Sequence, residues 1–252
     1  GSITLVKGVF PQGQRELYKV ILADGSWVIV DGDHQWLTTT RNERQHKKLG
    51  KIRTTKEIKA TLRFKNGKTN DINHSIPTSG AVNHPTALLP IEPYLFGVWL
   101  GDGDGQGRIT GEKDLFNVVD PDDSILTIGT IDKRRTNVIT KTIKKQQKYL
   151  KELNLFGCCS YEKFIPNIYM YSDITQRTSL LQGILDTDGY IAKTQGTVQL
   201  DTTSKLLASN VAELVRSLGG VARLSGRQGK NYGKMCRWVY RLYISLPKNI
   251  SP

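Results

Sequence analysis

Leu95-Phe96-Gly97-Val98-Trp99-Leu100-Gly101-Asp102-Gly103 and Leu181-Gln182-Gly183-Ile184-Leu185-Asp186-Thr187-Asp188-Gly189 are two copies of one pattern. Each begins with leucine, places glycine third in an apolar run, and ends on Asp-Gly, so Asp102 and Asp188 hold equivalent positions. A repeated pattern calls for a repeated structural unit. Each copy reads as a short amphipathic or fully buried helix that stops at its last glycine. Pro93 stands where a first-turn proline is tolerated, and Leu95, Val98 and Trp99 follow at helical spacing. In the second copy Asp173 or Thr175 is the candidate cap, and Leu180, Leu181, Ile184 and Leu185 form the apolar face. A mid-helix glycine costs about 1 kcal/mol against alanine unless something approaches closely. If the two helices pack through Gly97 and Gly183, their carboxyl ends meet and Asp102 faces Asp188. Carboxylates so placed repel unless they share a proton or a cation, and oxygen ligands at a helix end suit Mg²⁺.

One copy alone is most simply a helix followed by a turn; two copies, with matching features between and after them, point further. The blocks resemble the paired signature helices of the LAGLIDADG homing endonucleases, in the dodecapeptide form found inside inteins. The resemblance implies an α+β fold, a pseudo-symmetric pair of αββαββα subdomains with the motif helices at its centre, preceded by a small mostly-β Hint-like segment. It implies that Asp102 and Asp188 bind catalytic metal, with the carbonyls of Gly101 and Thr187 as further ligands. The implied cofactor is Mg²⁺, two or three divalent ions, with Mn²⁺ substituting and Ca²⁺ binding without cleavage. The implied activity is site-specific hydrolysis of double-stranded DNA, one cut per strand, by a monomer that carries both motifs.

Composition agrees with such a partner. Thirty-six Lys and Arg against 23 Asp and Glu give a net charge of +13 over 252 residues. That bias favours a polyanion, with nucleic acid ahead of an anionic membrane because no long apolar or amphipathic anchor is present. Neither a signal peptide nor a transmembrane run is visible, and an intracellular setting is expected. Three cysteines, Cys158 and Cys159 adjacent, form neither a disulfide framework nor a zinc spacing.

Along the chain, residues 3–40 read as β structure, with Tyr18–Leu22 and Trp27–Val30 joined by a hairpin turn at Asp24-Gly25. The stretch from Asp24 to Thr38 resembles the second block of Hint splicing domains, in which the histidine, His34 in this sequence, polarises the scissile amide. Asp31 replaces the usual threonine, and neither a splice-junction nucleophile nor a terminal His-Asn pair is present, so His34 is expected to be a remnant. Residues 41–68 hold eleven Lys or Arg against Glu43 and Glu57 and are read as a basic insertion. Residues 69–90 look like a connecting segment. The expected domains are 1–87 and 88–252, the latter in halves of about 88–170 and 171–252.

In the first half, strands are expected at 105–110 and 124–130 and a helix at 136–155. Asp102-Gly103-Asp104-Gly105 is not a calcium loop, because Lys113 stands where its final glutamate belongs. Lys163-Phe164-Ile165-Pro166 resembles the family's Lys-x-Ile-Pro block, which implies that Lys163 sits beside the scissile phosphate. The second half is expected to hold strands at 190–193 and 197–202, a helix at 204–218 capped by Ser204, and strands at 221–224 and 237–245 joined by a Gly-rich basic loop. Arg223, Arg227, Lys230, Lys234, Arg237 and Arg241, with Lys193 and Arg108, are the candidate DNA contacts. Alternation would send about half of these side chains into the core. The resemblance also implies a second lysine beyond the last strand, for which only Lys248 and Lys234 offer themselves. Two alternatives stay open: a nucleic-acid-binding relative that does not cleave, maturase-like or decayed, and a splicing-derived remnant. Both Asp residues are present, against the first; the splice junctions are missing, against the second.

Overall fold

The computed structural model describes residues 5–120, 125–127, 130–132, 135–191, 197–231, 234–247 and 250. It divides into two compact units, one ending at Ser79 and one beginning at Gly80. The boundary expected from composition, 87/88, falls inside the second unit. Residues 80–87 belong there because the Val82 carbonyl accepts from Arg177 and the Ala87 carbonyl accepts from Gln176 Nε2 at 2.7 Å.

In the first unit β1 (Leu17–Ile21) and β2 (Trp27–Asp31) pair antiparallel, Leu17 opposite Asp31 and Ile21 opposite Trp27. The turn between them uses Gly25 at φ +85°, as the Asp-Gly signal requires. There follow β3 (Gln35–Thr40), α1 (Arg41–Gln45), β4 (Lys51–Thr54), α2 (Thr55–Ala60), β5 (Arg63–Asn66), β6 (Thr69–Ile72) and β7 (His74–Ser75). β3 lies between β4 and β7, and β5 pairs with β6. The basic stretch folds because its two acids each complete a capping box. Thr40 with Glu43 opens α1, and Thr54 with Glu57 opens α2. Glu43 also pairs with Arg53 at 2.6 Å, and this ion pair and the Thr40 amide hold its carboxyl down at about 2. Among the described residues Val30 is this unit's one buried aliphatic side chain, while Leu17, Ile21, Trp27 and Ile29 are exposed.

The second unit contains α3 (Pro93–Asp102), β8 (Arg108–Glu112), α4 (Lys113–Val119), β9 (Thr130–Asp132), β10 (Arg135–Thr142), α5 (Gln146–Glu152), a 3₁₀ turn at Ser160–Glu162, α6 (Asn167–Met170), α7 (Ile174–Asp188), β11 (Gly189–Ile191), β12 (Val198–Thr202), α8 (Lys205–Ser217), β13 (Val221–Asn231) and β14 (Lys234–Ser245). Asp173 caps α7 in a box with Gln176, and Ser204 caps α8. The second sheet has the order β11-β12-β14-β13. The first is β8-β10-β9, with Gly103 bridged to Ile109 at its edge. Counting that bridge as a strand of one residue, both sheets run first, second, fourth, third.

Three expectations need correction. The stretch 136–155 is not one helix: residues to Thr142 form β10, and a helix appears only at Gln146–Glu152. The β-branched series Thr136, Val138, Ile139, Thr140, Thr142 and Ile143 resists helix and suits a pleated surface. Secondly, the first half shows a three-stranded sheet among the described residues instead of four full strands, with its first expected strand starting only at Arg108. Finally, the Gly-rich loop is strand, since β13 and β14 stay paired out to Asn231 and Lys234. Gly226 permits this because a Cβ there would overlap the Trp238 indole across the ladder.

α3 and α7 pack through their glycines. A Cβ on Gly97 would overlap the Leu180 carbonyl oxygen, and one on Gly183 the Tyr94 carbonyl oxygen. Around that contact Leu95, Phe96, Val98 and Trp99 meet Leu180, Leu181 and Ile184 in one fully buried core. Phe96 stacks on Tyr169 at 4.3 Å, whose hydroxyl donates to the Ile91 carbonyl at 2.8 Å.

Candidate functional site

Close packing at Gly97 and Gly183 carries the carboxyl ends of α3 and α7 to one place. Gly101 lies against Thr187, where a Cβ would overlap the hydroxyl and stand 3.5 Å from the Asp188 carboxyl carbon. The Thr187 hydroxyl is turned back into its own helix, donating to the Gly183 and Ile184 carbonyls at 3.0 Å each. Asp102 and Asp188 therefore share one electrostatic environment. Burial pushes the Asp188 carboxyl up to about 6, the Asp102 charge adds to the shift, and Lys163 opposes it. Burial also raises Asp102, again opposed by Lys163. Both carboxyls are thus raised chiefly by burial, with like-charge repulsion adding to the shift at Asp188.

Lys163 comes from the segment between the 3₁₀ turn and α6 and is only 2% exposed. Its Nζ donates to the carbonyls of Trp99 and Leu100 at 2.9 Å, Gly103 at 2.7 Å and Gly101 at 3.3 Å. Apart from the Trp99 carbonyl, which also accepts from the Gly103 amide at 2.8 Å, these are groups at the carboxyl end of α3 that the helix itself does not pair, so the ammonium caps α3 beside Asp102. Burial pulls its pKa down to about 8, against the nearby Cys158, Asp188 and Asp102. The segment is held by Ser204, whose hydroxyl donates to the Lys163 carbonyl at 2.7 Å, and by Asn210, which accepts from the Ile165 amide at 3.0 Å.

Among the described residues no three His, Cys, Asp or Glu side chains gather around a metal position. A cation at the helix ends would thus draw on two carboxylates, backbone carbonyls and water, an all-oxygen set that fits Mg²⁺. The Gly101 carbonyl, one expected ligand, is already an acceptor for Lys163.

Of the candidate DNA contacts, three arginines fall on one face. In the β13–β14 register Arg223 stands opposite Tyr243, Ser225 opposite Arg241 and Arg227 opposite Val239. The alternate positions Ala222, Leu242 and Ile244 are buried. Odd numbers from Arg223 to Arg227 and from Val239 to Tyr243 thus point away from the core, so alternation does not divide Arg223, Arg227 and Arg241 between two faces, while Arg237 lies in the register shift beyond them. Tyr240 packs against the core, whereas Trp238 is 46% exposed, and the Arg237 guanidinium stacks 3.6 Å from the Tyr161 ring centroid. Lys230 and Lys234 are exposed near the hairpin tip. Arg108 is tied to Asp104 at 2.6 Å within its own turn. Lys193 and Lys248 lie outside the described residues. In the separate first unit His34 is exposed, its ring edge-on to Trp36 at 4.8 Å.

Sequence reasoning missed two residues. Asp201 on β12 binds Arg241 through both oxygens, at 2.7 and 2.6 Å. Arg177, fully buried on α7, donates to the carbonyls of Ser172 at 2.8 Å and Ser217 at 3.1 Å and to that of Val82. Nothing in the spacing signals Asp201, since its partner is 40 residues away; Arg177, the one cation in an otherwise uncharged helix 174–185, does stand out.

An α-helix ending in Asp-Gly, two strands, a capped helix and a long hairpin make up the second half of this unit. Residues 175–246 match the LAGLIDADG-like domain. Over 94% of its length the chain is 31% identical to a replicative DNA helicase DnaB of Mycobacterium intracellulare, and it spans 40% of that relative. Among solved structures, mesophilic variants of the homing endonuclease I-DmoI align at 18% identity and a TM-score of 0.39, covering 62% of this chain and 88% of theirs. I-DmoI in complex with DNA and Mn aligns likewise at 18% identity and a TM-score of 0.39, covering 61% and 88%.

Proposed function

We propose that the second unit is a site-specific double-strand DNA endonuclease of the LAGLIDADG type, built as a pseudo-symmetric pair, and that Mg²⁺ is its cofactor. The observation that carries this reading is the convergence of Asp102 and Asp188 at the ends of two glycine-packed helices, with the Asp188 pKa raised to about 6 by burial and by the Asp102 charge. When bound, the ions supply Lewis acidity and a water of lowered pKa for in-line phosphodiester hydrolysis.

The chain's own residues do the rest. Asp102 and Asp188 hold the ions, and the carbonyls of Gly101 and Thr187 complete the set. Lys163 fixes the terminal carbonyls of α3 and offsets the repulsion between the carboxylates. Direct contact of its ammonium with the scissile phosphate requires release of at least one of its four carbonyls. Arg223 and Arg227 hold phosphates along the open sheet face.

In this reading the first unit is the remnant of a Hint-like splicing module, and the chain is an inserted segment of a longer protein. The DnaB match suggests a replicative helicase gene as host, so the substrate is the uninterrupted gene at the insertion point. An intracellular monomer is proposed; no helix among the described residues is long and apolar enough to cross a membrane.

A plasmid carrying the uninterrupted junction should be linearised in Mg²⁺, and Asp102→Ala or Asp188→Ala should abolish cutting while leaving binding. Tight binding of the junction by intact protein without any cut or nick refutes the catalytic assignment. It would favour the second reading, DNA binding without cleavage, to which the full engagement of Lys163 by carbonyls lends weight.

A further inference from the structure

An acid stands among the arginines of the open sheet face. Asp201 lies opposite Arg241 in the β12–β14 register, one residue beyond the partner of Gly189. Arg241 gives Nε to Oδ1 at 2.7 Å and Nη2 to Oδ2 at 2.6 Å, and Arg227 reaches Oδ2 at 3.3 Å. The pair is part-buried, with side-chain exposures of 24% for Arg241 and 27% for Asp201, whereas Arg227 is 62% exposed. The Tyr190 ring flanks the Arg241 guanidinium at 5.6 Å and is itself fixed by a 2.6 Å hydrogen bond to Gln199.

On a surface that meets a polyanion, a carboxylate is repulsive, so attraction to phosphate does not account for Asp201. Its geometry does. A side-on pair uses Nε and one N–H of Nη2, and leaves the end-on fork of Nη1 and Nη2 aimed away from the carboxylate, where the Tyr243 hydroxyl is a further partner of the guanidinium that an arriving base would displace or share. That fork matches O6 and N7 of guanine in the major groove. Holding the arginine rigid before DNA arrives removes the ordering cost that a free arginine would meet on binding.

We propose that Arg241 is a specificity-determining residue that reads one guanine, and that Asp201 is the positioning residue that aims it. The inference rests on the DNA-binding reading above. Because Gly189 follows Asp188 directly, the guanine lies near the cleavage centre on the second-half side. Arg227, held by one long contact, is left to bind phosphate.

The test is a binding selection from a pool of randomised DNA duplexes, run with the wild-type chain, Arg241→Lys, Asp201→Asn and Asp201→Ala. The wild type should fix a guanine that Arg241→Lys and both Asp201 variants select about tenfold less strongly or worse, with every other selected position retained. The retained positions also report that the variants are folded. Arg241→Lys keeps the charge, so its salt dependence of binding should be unchanged. The inference is overturned if the wild type fixes no guanine that depends on Arg241. It is equally overturned if the Asp201 variants keep that guanine, or if they lose all positions alike, as a merely structural residue would. Adding Mg²⁺ to the selected duplex separates the two readings: absence of strand breaks refutes the endonuclease while leaving the base readout standing.

Discussion

Gly183→Ala tests the organising contact of the molecule, and its sign is the informative quantity. In an unhindered helix interior the change should stabilise by about 1 kcal/mol, because alanine is the better helix former. In α7 the added Cβ overlaps the Tyr94 carbonyl oxygen, and stands 2.8 Å from the Val98 nitrogen and 3.1 Å from the Gly97 carbonyl carbon. All three atoms are backbone of α3, so no rotamer change relieves them and the helices must separate. Forcing a methyl into a packed core costs about 1–3 kcal/mol, and rigid obstacles put this site at the upper end. We expect a net loss of about 1–2 kcal/mol after the propensity gain, read as a lower urea midpoint at constant slope. Separation also pulls apart Asp102 and Asp188, and a misplacement of about 1 Å can cost 10²-fold in rate. Plasmid cleavage should therefore fall by about that factor while duplex binding by the sheet face persists. Gly97→Ala presses on the same contact, against Leu180, Ile184 and Gly183. The double variant should consequently lose less than the sum of the single losses, since one separation relieves both. A rise in the urea midpoint with cleavage intact would refute the glycine-packed arrangement.

Asp188→Asn should stabilise the metal-free protein at neutral pH. The folded pKa of Asp188 is raised from 3.8 to about 6, so its contribution is intact below pH 4 and lost as pH rises through 6, with a ceiling of about 3 kcal/mol at pH 7. Urea midpoints at pH 4 and pH 7 in chelator measure the difference; a variant no more stable than wild type at pH 7 contradicts the shared-charge site, and Mg²⁺ should stabilise only the wild type. Lys163→Met removes the ammonium from the Leu100, Gly101 and Gly103 carbonyls, the Trp99 carbonyl keeping the Gly103 amide, and should destabilise by about 2–4 kcal/mol, with unfolding curves as the check; an unchanged midpoint would show that water replaces the ammonium. Arg177→Met should cost about 2–4 kcal/mol, since the buried carbonyls of Ser172 and Val82 lose their donor while that of Ser217 keeps the Val82 amide, and limited proteolysis should then cut near residue 82. Arg223→Ala should reduce the slope of log K against log salt by about 0.9 if the side chain neutralises one phosphate; an unaltered slope removes it from the interface.

How much of this was legible in the sequence depends on the range of the interaction that decides each feature. Helix starts were visible because a cap and its partner lie within one turn, as Asp173 with Gln176. The pairing of Gly97 with Gly183 was visible because the pattern repeats, so that one copy predicts the environment of the other. β10 was misread because Lys141, Lys144, Lys145, Lys148 and Lys151 suggest a helical face, while Thr136 to Ile143 is β-branched at most positions. The run ends where the helix begins, and one period had been stretched over two elements. The strand order of the first half was hidden for another reason: its first strand is the single bridge at Gly103, too short for any alternation. Asp201 marks the limit of the method. Read alone it subtracts one from a basic face, and three arginines outvote it. Only the register that sets it opposite Arg241 turns the charge into a brace, and register is fixed by the buried partners on the other face, Leu200 opposite Leu242 and Val198 opposite Ile244. The apolar side of the sheet thus determines which polar groups meet on its open side, so a count of charges along this chain could locate a DNA-binding face without showing which arginine is positioned to discriminate bases.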